Sequence, residues 1–153
     1  MESFNVSPVS TIVTLLMVLV LSCQQTANES QKKFTRADTL AVLQTILDDK
    51  PLDTLIRKIF ASEQLKLVAG TVVHPGYELT YKGRPVPILL QDSTLTEPHY
   101  TKPLRLNVRI QTFKVGKDTV QVFIMFGATN HTVDFWLINE PSWRVVARSF
   151  GRV

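Results

Sequence analysis

The chain has 153 residues, a formal net charge of +4 and a single cysteine. That length suits one folded domain. The lone cysteine excludes an internal disulfide framework and a multi-cysteine zinc site. A composition of 44% hydrophobic and 20% charged residues excludes disordered and collagen-like chains.

Residues Ile12 to Leu21 read IVTLLMVLVL, apolar at every position but Thr14. The run is shorter than the roughly 20 residues of a permanent bilayer-spanning helix. Near the N-terminus, such a run followed by small residues has the form of a secretory h-region. Gln24 to Lys33 (QQTANESQKK) is polar and without apolar periodicity, so residues 23–33 are expected to be a flexible tether. A single folded domain is expected over residues 34–153.

Thr35 followed by Asp38 has capping-box spacing, with Asp in place of Glu or Gln. Leu40, Leu43 and Leu47 then fall on one helical stripe, with Val42 and Ile46 beside it. Asp48-Asp49-Lys50-Pro51 should end this helix, because proline disfavours the helical conformation in the residue before it. Pro51 in turn suits the first turn of a second helix. There Leu52, Leu55, Ile56, Ile59 and Phe60 form an amphipathic face, with Arg57 and Lys58 turned away from it.

From Leu65 the period changes to two. Strands are expected over Leu65–Val73, Tyr77–Tyr81 and Val86–Leu90, with Lys82-Gly83-Arg84-Pro85 as a hairpin turn. Gln91–Pro103 is a long Thr/Pro-rich loop. Four further strands, Leu104–Val115, Thr119–Gly127, Thr132–Asn139 and Trp143–Val153, should form a meander. Gly116-Lys117 fits a two-residue type II′ turn there, and Pro141 a turn at the last connection. The predicted architecture is α+β: two N-terminal helices packed on a curved antiparallel β-sheet meander.

Two resemblances sharpen this reading. Val20-Leu21-Ser22-Cys23 resembles the lipobox of bacterial lipoproteins: aliphatic, variable, small, cysteine. The resemblance implies cleavage of residues 1–22 as a signal peptide and acylation of Cys23, whose thiol takes up the diacylglycerol. The chain would then be exported and anchored to a Gram-negative envelope, at the outer membrane rather than the inner, facing the periplasm or the cell surface. Residues 1–10 depart from the usual pattern in having Glu2 and no Lys or Arg. The closing run from Val133 to Val146, with Trp143-Arg144-Val145-Val146 after a turn, resembles the end of a cystatin-like or NTF2-like domain. In layout the chain is also similar to small uncharacterised bacterial lipoproteins. The NTF2-like resemblance implies a pocket between helices and sheet, although that family usually has three N-terminal helices and two are found here.

No catalytic, phosphate-binding or cofactor motif occurs, so no cofactor is expected. His74, His99 and His131 have no metal-ligand spacing, so no metal site is expected. Asp134 stands two residues from Trp136 in a predicted strand. A carboxyl held against indole could act as a general acid, and water or a cross-strand arginine is its ordinary partner. Alternation puts Arg105 and Arg109 opposite the apolar Leu104, Leu106, Val108 and Ile110. After Ile110 the phase shifts to Phe113 and Val115, the mark of a bulge. In the last strand Arg144, Arg148 and Arg152 alternate with Trp143, Val145 and Ala147. Kept strictly, the two alternations place five arginines on one sheet face, with Phe123, Met125 and Trp136 as neighbours.

Arg105, Arg109, Trp136, Arg144 and Arg148 are therefore the candidate binding residues, for an anionic ligand or a protein partner. Long side chains covering apolar neighbours would give the same pattern. Nucleic acid is not expected to meet an exported lipoprotein. The leading functional expectation is a membrane-tethered, non-catalytic binding or accessory module, in contact with the lipid bilayer through acylated Cys23. One alternative is an enzyme or small-molecule binder with a pocket between helices and sheet, using Asp134, His74 or Tyr81. Another is a protein inhibitor or immunity-type partner with a basic sheet face.

Overall fold

Thr35 starts the first helix, α1 (Arg36–Leu47). Its hydroxyl accepts from the Asp38 N–H, and the Asp38 carboxylate accepts from the Thr35 N–H at 2.9 Å. The reciprocal pair satisfies two donors that a helix end otherwise leaves open. Asp48 caps the other end, and α2 (Lys50–Phe60) begins after a single intervening residue, Asp49. Asp49 makes this tight junction possible. Its side chain accepts from the Leu52 N–H at 3.1 Å, capping α2 before the turn out of α1 is complete.

The computed structural model describes residues 33–60, 64–92 and 104–153. The predicted signal, Cys23 and residues 24–32 of the tether lie outside these, as do residues 93–103 of the long loop. The strands are β1 (Lys66–Val68), β2 (Thr80–Tyr81), β3 (Arg84–Pro85), β4 (Ile88–Leu89), β5 (Asn107–Val115), β6 (Thr119–Phe126), β7 (His131–Asn139) and β8 (Trp143–Arg152). Among the described residues six of them form one sheet, in the order β4-β1-β5-β6-β7-β8. The two helices pack on one face of it, so the fold is α+β with a mostly antiparallel sheet.

The meander from β5 to β8 follows the predicted strands closely. The earlier part does not. β2 and β3 form a two-residue hairpin apart from the main sheet, while β4 runs parallel to β1 and β1 runs parallel to β5. Parallel neighbours need a long connection. Residues 69–87 supply it, and the β2–β3 hairpin lies within that crossover. The turn of the hairpin is at Lys82 and Gly83, both with positive φ (52° and 72°).

Even-numbered residues of β6 and odd-numbered residues of β7 face the helices. Val120, Val122, Ile124, Phe126, Val133, Phe135 and Leu137 are all nearly inaccessible to solvent. They meet Val42, Leu43 and Ile46 of α1 and Leu52, Ile56 and Phe60 of α2 in one core. Phe60 packs against Phe126 with ring centroids 5.4 Å apart. Phe34, just before α1, sits edge-on to both Phe113 and Trp143 at 5.8 Å, joining opposite ends of the meander beneath the helix.

Two irregularities reset the strand phase. One falls between Ile110 and Thr112, where the sequence pattern predicts it. The other shifts β8 against β7 between Trp136 and Leu137, and no break in the alternation announces it. The β5–β6 turn also differs from expectation. Gly116 does not have the positive φ that a type II′ turn requires. Instead its N–H donates to the Thr119 carbonyl at 2.8 Å, and a Cβ there would lie 2.5 Å from Thr119 Oγ1. Glycine is needed for space, not for φ. Gly116→Ala should therefore cost about 1 kcal/mol in urea unfolding, and Thr119→Ala in the same chain should return most of it.

Candidate interaction surface

The register decides which predicted site residues meet. Arg109 lies opposite Met125, Ile138 opposite Arg144, and Trp136 opposite Ala147. These positions share the sheet face turned away from the helices, together with Phe123. Trp136 is 38% exposed there and Arg144 is exposed. Arg144 has Glu140 as a loose ion-pair partner at 3.9 Å.

Arg148 is on the other face. It lies opposite Phe135, a core residue, and Arg152 lies opposite His131 on the same side. The irregularity in β8 is the reason, because one extra residue between Val145 and Arg148 reverses the alternation. Arg105 precedes β5 and is exposed. The expectation of five arginines on one face is thus corrected: Arg109 and Arg144 share the outer face, and Arg148 and Arg152 share the helix face.

Two of these arginines also have structural partners that sequence reasoning missed. Arg109 Nε donates to Asp92 at 2.7 Å, and the buried Asp92 also accepts from Asn107 Nδ2 at 2.9 Å. The pair lines an open cleft of about 330 Å³ beside β1 and β5, with Gln91, Gln111, Val68 and Leu90 among its walls. Arg148 reaches from β8 to Asp49 at 2.8 Å. Asp49 thereby caps α2 with one carboxylate oxygen and holds the edge of the sheet with the other. No local pattern marks this pair, since its members are 99 residues apart.

The polar groups proposed for a pocket do not converge. Asp134 is on the outer face, where Gln121 Nε2 donates to both of its oxygens at 3.1 and 2.8 Å. His74 stacks edge-on against Tyr77 in the crossover, with centroids 5.4 Å apart. Tyr81 donates its hydroxyl to Asp53 of α2 at 2.5 Å. Between helices and sheet, aliphatic side chains and Phe126 leave a cavity of about 10 Å³, enough for about one water molecule.

Asp53 is the centre of a clamp. Besides Tyr81, it binds Lys82 and Arg57. Burial raises its pKa, but hydrogen bonds from Lys82, Tyr81 and Arg57 outweigh that and bring the carboxyl down to about 2. Burial, followed by the Asp53 carboxylate, pushes the Tyr81 hydroxyl above its ordinary range. The Gln44 side chain adds a second clip by pairing with the N–H and carbonyl of Thr80, each at 3.0 Å. These bonds hold the hairpin against both helices.

Among the described residues no three metal-ligating side chains gather, and no helix is long and apolar enough to cross a membrane. In comparisons with protein-family models, curated proteins and solved structures, nothing matches the chain.

Two measurements check this geometry. Arg148→Met leaves Asp49 buried without its cation and should cost about 2–4 kcal/mol in urea at pH 7. Adding Asp49→Asn should return part of that, because Asn still caps α2 but carries no charge. The second concerns acid. The Asp53 carboxyl titrates below its ordinary value in the fold, so its stabilisation is complete above pH 3.8 and is lost as pH falls towards 2. Asp53→Asn should flatten the fall in the urea midpoint across that window.

Proposed function

We propose that the chain is a lipid-anchored, non-catalytic binding module of the bacterial cell envelope, tethered at the outer membrane through acylated Cys23. The observation that carries this reading is the position of the only cysteine, directly after Val20-Leu21-Ser22 at the end of the apolar run. A thiol there is the attachment point for acyl chains. One chain alone binds a bilayer only marginally, at about 0.8 kcal/mol per buried CH₂. The three chains of a mature bacterial lipoprotein make the anchor effectively permanent.

Binding, in place of catalysis, is supported by how the polar groups are engaged. Tyr81 and Asp53 hold a hairpin, Asp134 is paired with Gln121, and His74 packs against an aromatic ring. Against an internal small-molecule site stands the aliphatic filling between helices and sheet. The β8 edge of the sheet offers exposed groups on both faces instead: Trp136 and Arg144 on the outer face, and Phe150 and Arg152 on the helix face. The cystatin-like or NTF2-like reading of the domain is supported by two helices on one sheet face and a closing strand that begins Trp143-Arg144-Val145-Val146.

Mass spectrometry of the membrane fraction tests the anchor. The wild-type chain should give an acylated N-terminal peptide beginning at Cys23, and Cys23→Ala should lose it and leave the membrane fraction. Recovery of wild-type chain with Met1 and a free thiol would overturn the proposal.

A further inference from the structure

The two edges of the sheet are unequal. β4 contributes two residues and β8 ten. A long strand at an edge presents a row of backbone donors and acceptors without a neighbour. One bond fixes which residues of β8 do so: the Val153 N–H donates to the Asn130 carbonyl at 3.0 Å. Given the pairing of His131 with Arg152, the antiparallel ladder then alternates in a known phase. Residues 147, 149 and 151 direct their backbone groups to β7, and Arg148, Phe150 and Arg152 direct theirs away from the sheet.

The same three residues project their side chains on the helix face, as their partners Phe135, Val133 and His131 show. Phe150 is 46% exposed. Arg152 is exposed and has no ion-pair partner among the described residues. Arg148 gives one nitrogen to Asp49 and keeps 30% of its side chain in contact with solvent. β8 contains no acidic residue. A second copy added antiparallel along this stretch would bring arginine against arginine, which opposes self-pairing. A strand of opposite sign meets no such barrier.

We propose that β8 is a strand-addition site for an extended acidic segment of a partner protein. The segment places acidic residues opposite Arg148 and Arg152 and an apolar residue opposite Phe150, the pattern acid-x-apolar-x-acid. Backbone bonds to residues 148, 150 and 152 would supply affinity, and the alternate side chains specificity. This deepens the binding-module reading and rests on it for the domain's role, but not on the anchor.

The probe is a capped heptapeptide, Thr-Glu-Thr-Val-Thr-Glu-Thr, titrated against the full chain in detergent micelles. Three comparisons accompany it: the same peptide with Lys for Glu, the same peptide N-methylated on Glu and Val, and vesicles containing anionic lipid. The acidic peptide should bind at least tenfold more tightly than either altered peptide, and Arg152→Glu should reverse the preference for Glu over Lys. On binding, the amides of Arg148, Phe150 and Arg152 should slow in hydrogen exchange, while those of residues 147, 149 and 151, already bonded to β7, should change little. Equal binding of the N-methylated peptide, no effect of Arg152→Glu, or binding to vesicles without binding to peptide would each overturn the inference. A chain acylated at Cys23 that ignores the peptide sinks strand addition and leaves the anchored reading intact. A chain that binds the peptide without acyl groups does the reverse.

Discussion

Asp49 is the residue on which the two layers depend. It sits one position before α2, 8% exposed, and a carboxylate so placed must be compensated or it destabilises the fold. Both of its oxygens are used, one on the α2 N-terminus and the other on Arg148 of β8. The junction between the helices is thereby fixed to the strand farthest from β4. Apolar packing alone is tolerant of small slides, whereas a buried ion pair tolerates only one position. The pair contributes more to the placement of the helices on the sheet than its net energy implies, because much of the Coulombic gain is offset by desolvation.

The hairpin is likewise secured by polar contacts to the two helices. Tyr81 and Lys82 meet Asp53, and Gln44 pairs with the backbone of Thr80. Hydrogen bonds of this kind add little each when measured against water. Their effect is to hold a two-residue ladder that could not persist alone. The crossover is pinned, β4 can lie parallel to β1, and the apolar residues Val73, Tyr77, Leu79 and Val86 close the core. The two groups with perturbed pKa values, Asp53 and Tyr81, are thus bonded to each other in holding the hairpin.

That surface is shaped by two breaks in strand phase. The break after Ile110 keeps Phe113 and Val115 on the helix side while Arg109 stays on the outer face. The break in β8 sends Arg144 and Arg148 to opposite faces. A uniform basic face is thus divided, with each half beside different apolar neighbours: Trp136 outside, and Phe150 towards the helices. The division leaves β8 with cations on both faces of a backbone edge that pairs with no further strand among the described residues.

The local elements were legible from residue order. The capping box at Thr35 and Asp38, the stop before Pro51, the face of α2, the meander strands and the β5 bulge all depend on contacts between near neighbours or on simple periodicity. Such signals survive in a linear chain because side-chain direction repeats every 3.6 or 2 residues. The hairpin turn at Lys82 and Gly83 was legible too, but not that its two short strands stand apart from the main sheet. The parallel pairing of β1 and the Gly116 contact with Thr119 were not legible. Nor were the partners of Arg109 and Arg148. The residues that bond to them, Asp92 and Asp49, are 17 and 99 positions away, and nothing in a strand pattern states which distant carboxylate a cation will meet. Sequence alone determined which segments coil, where the four meander strands run and where the lone thiol stands. Tertiary structure decided the faces, because the extra residue in β8 inverts the alternation and only the neighbouring strand registers it.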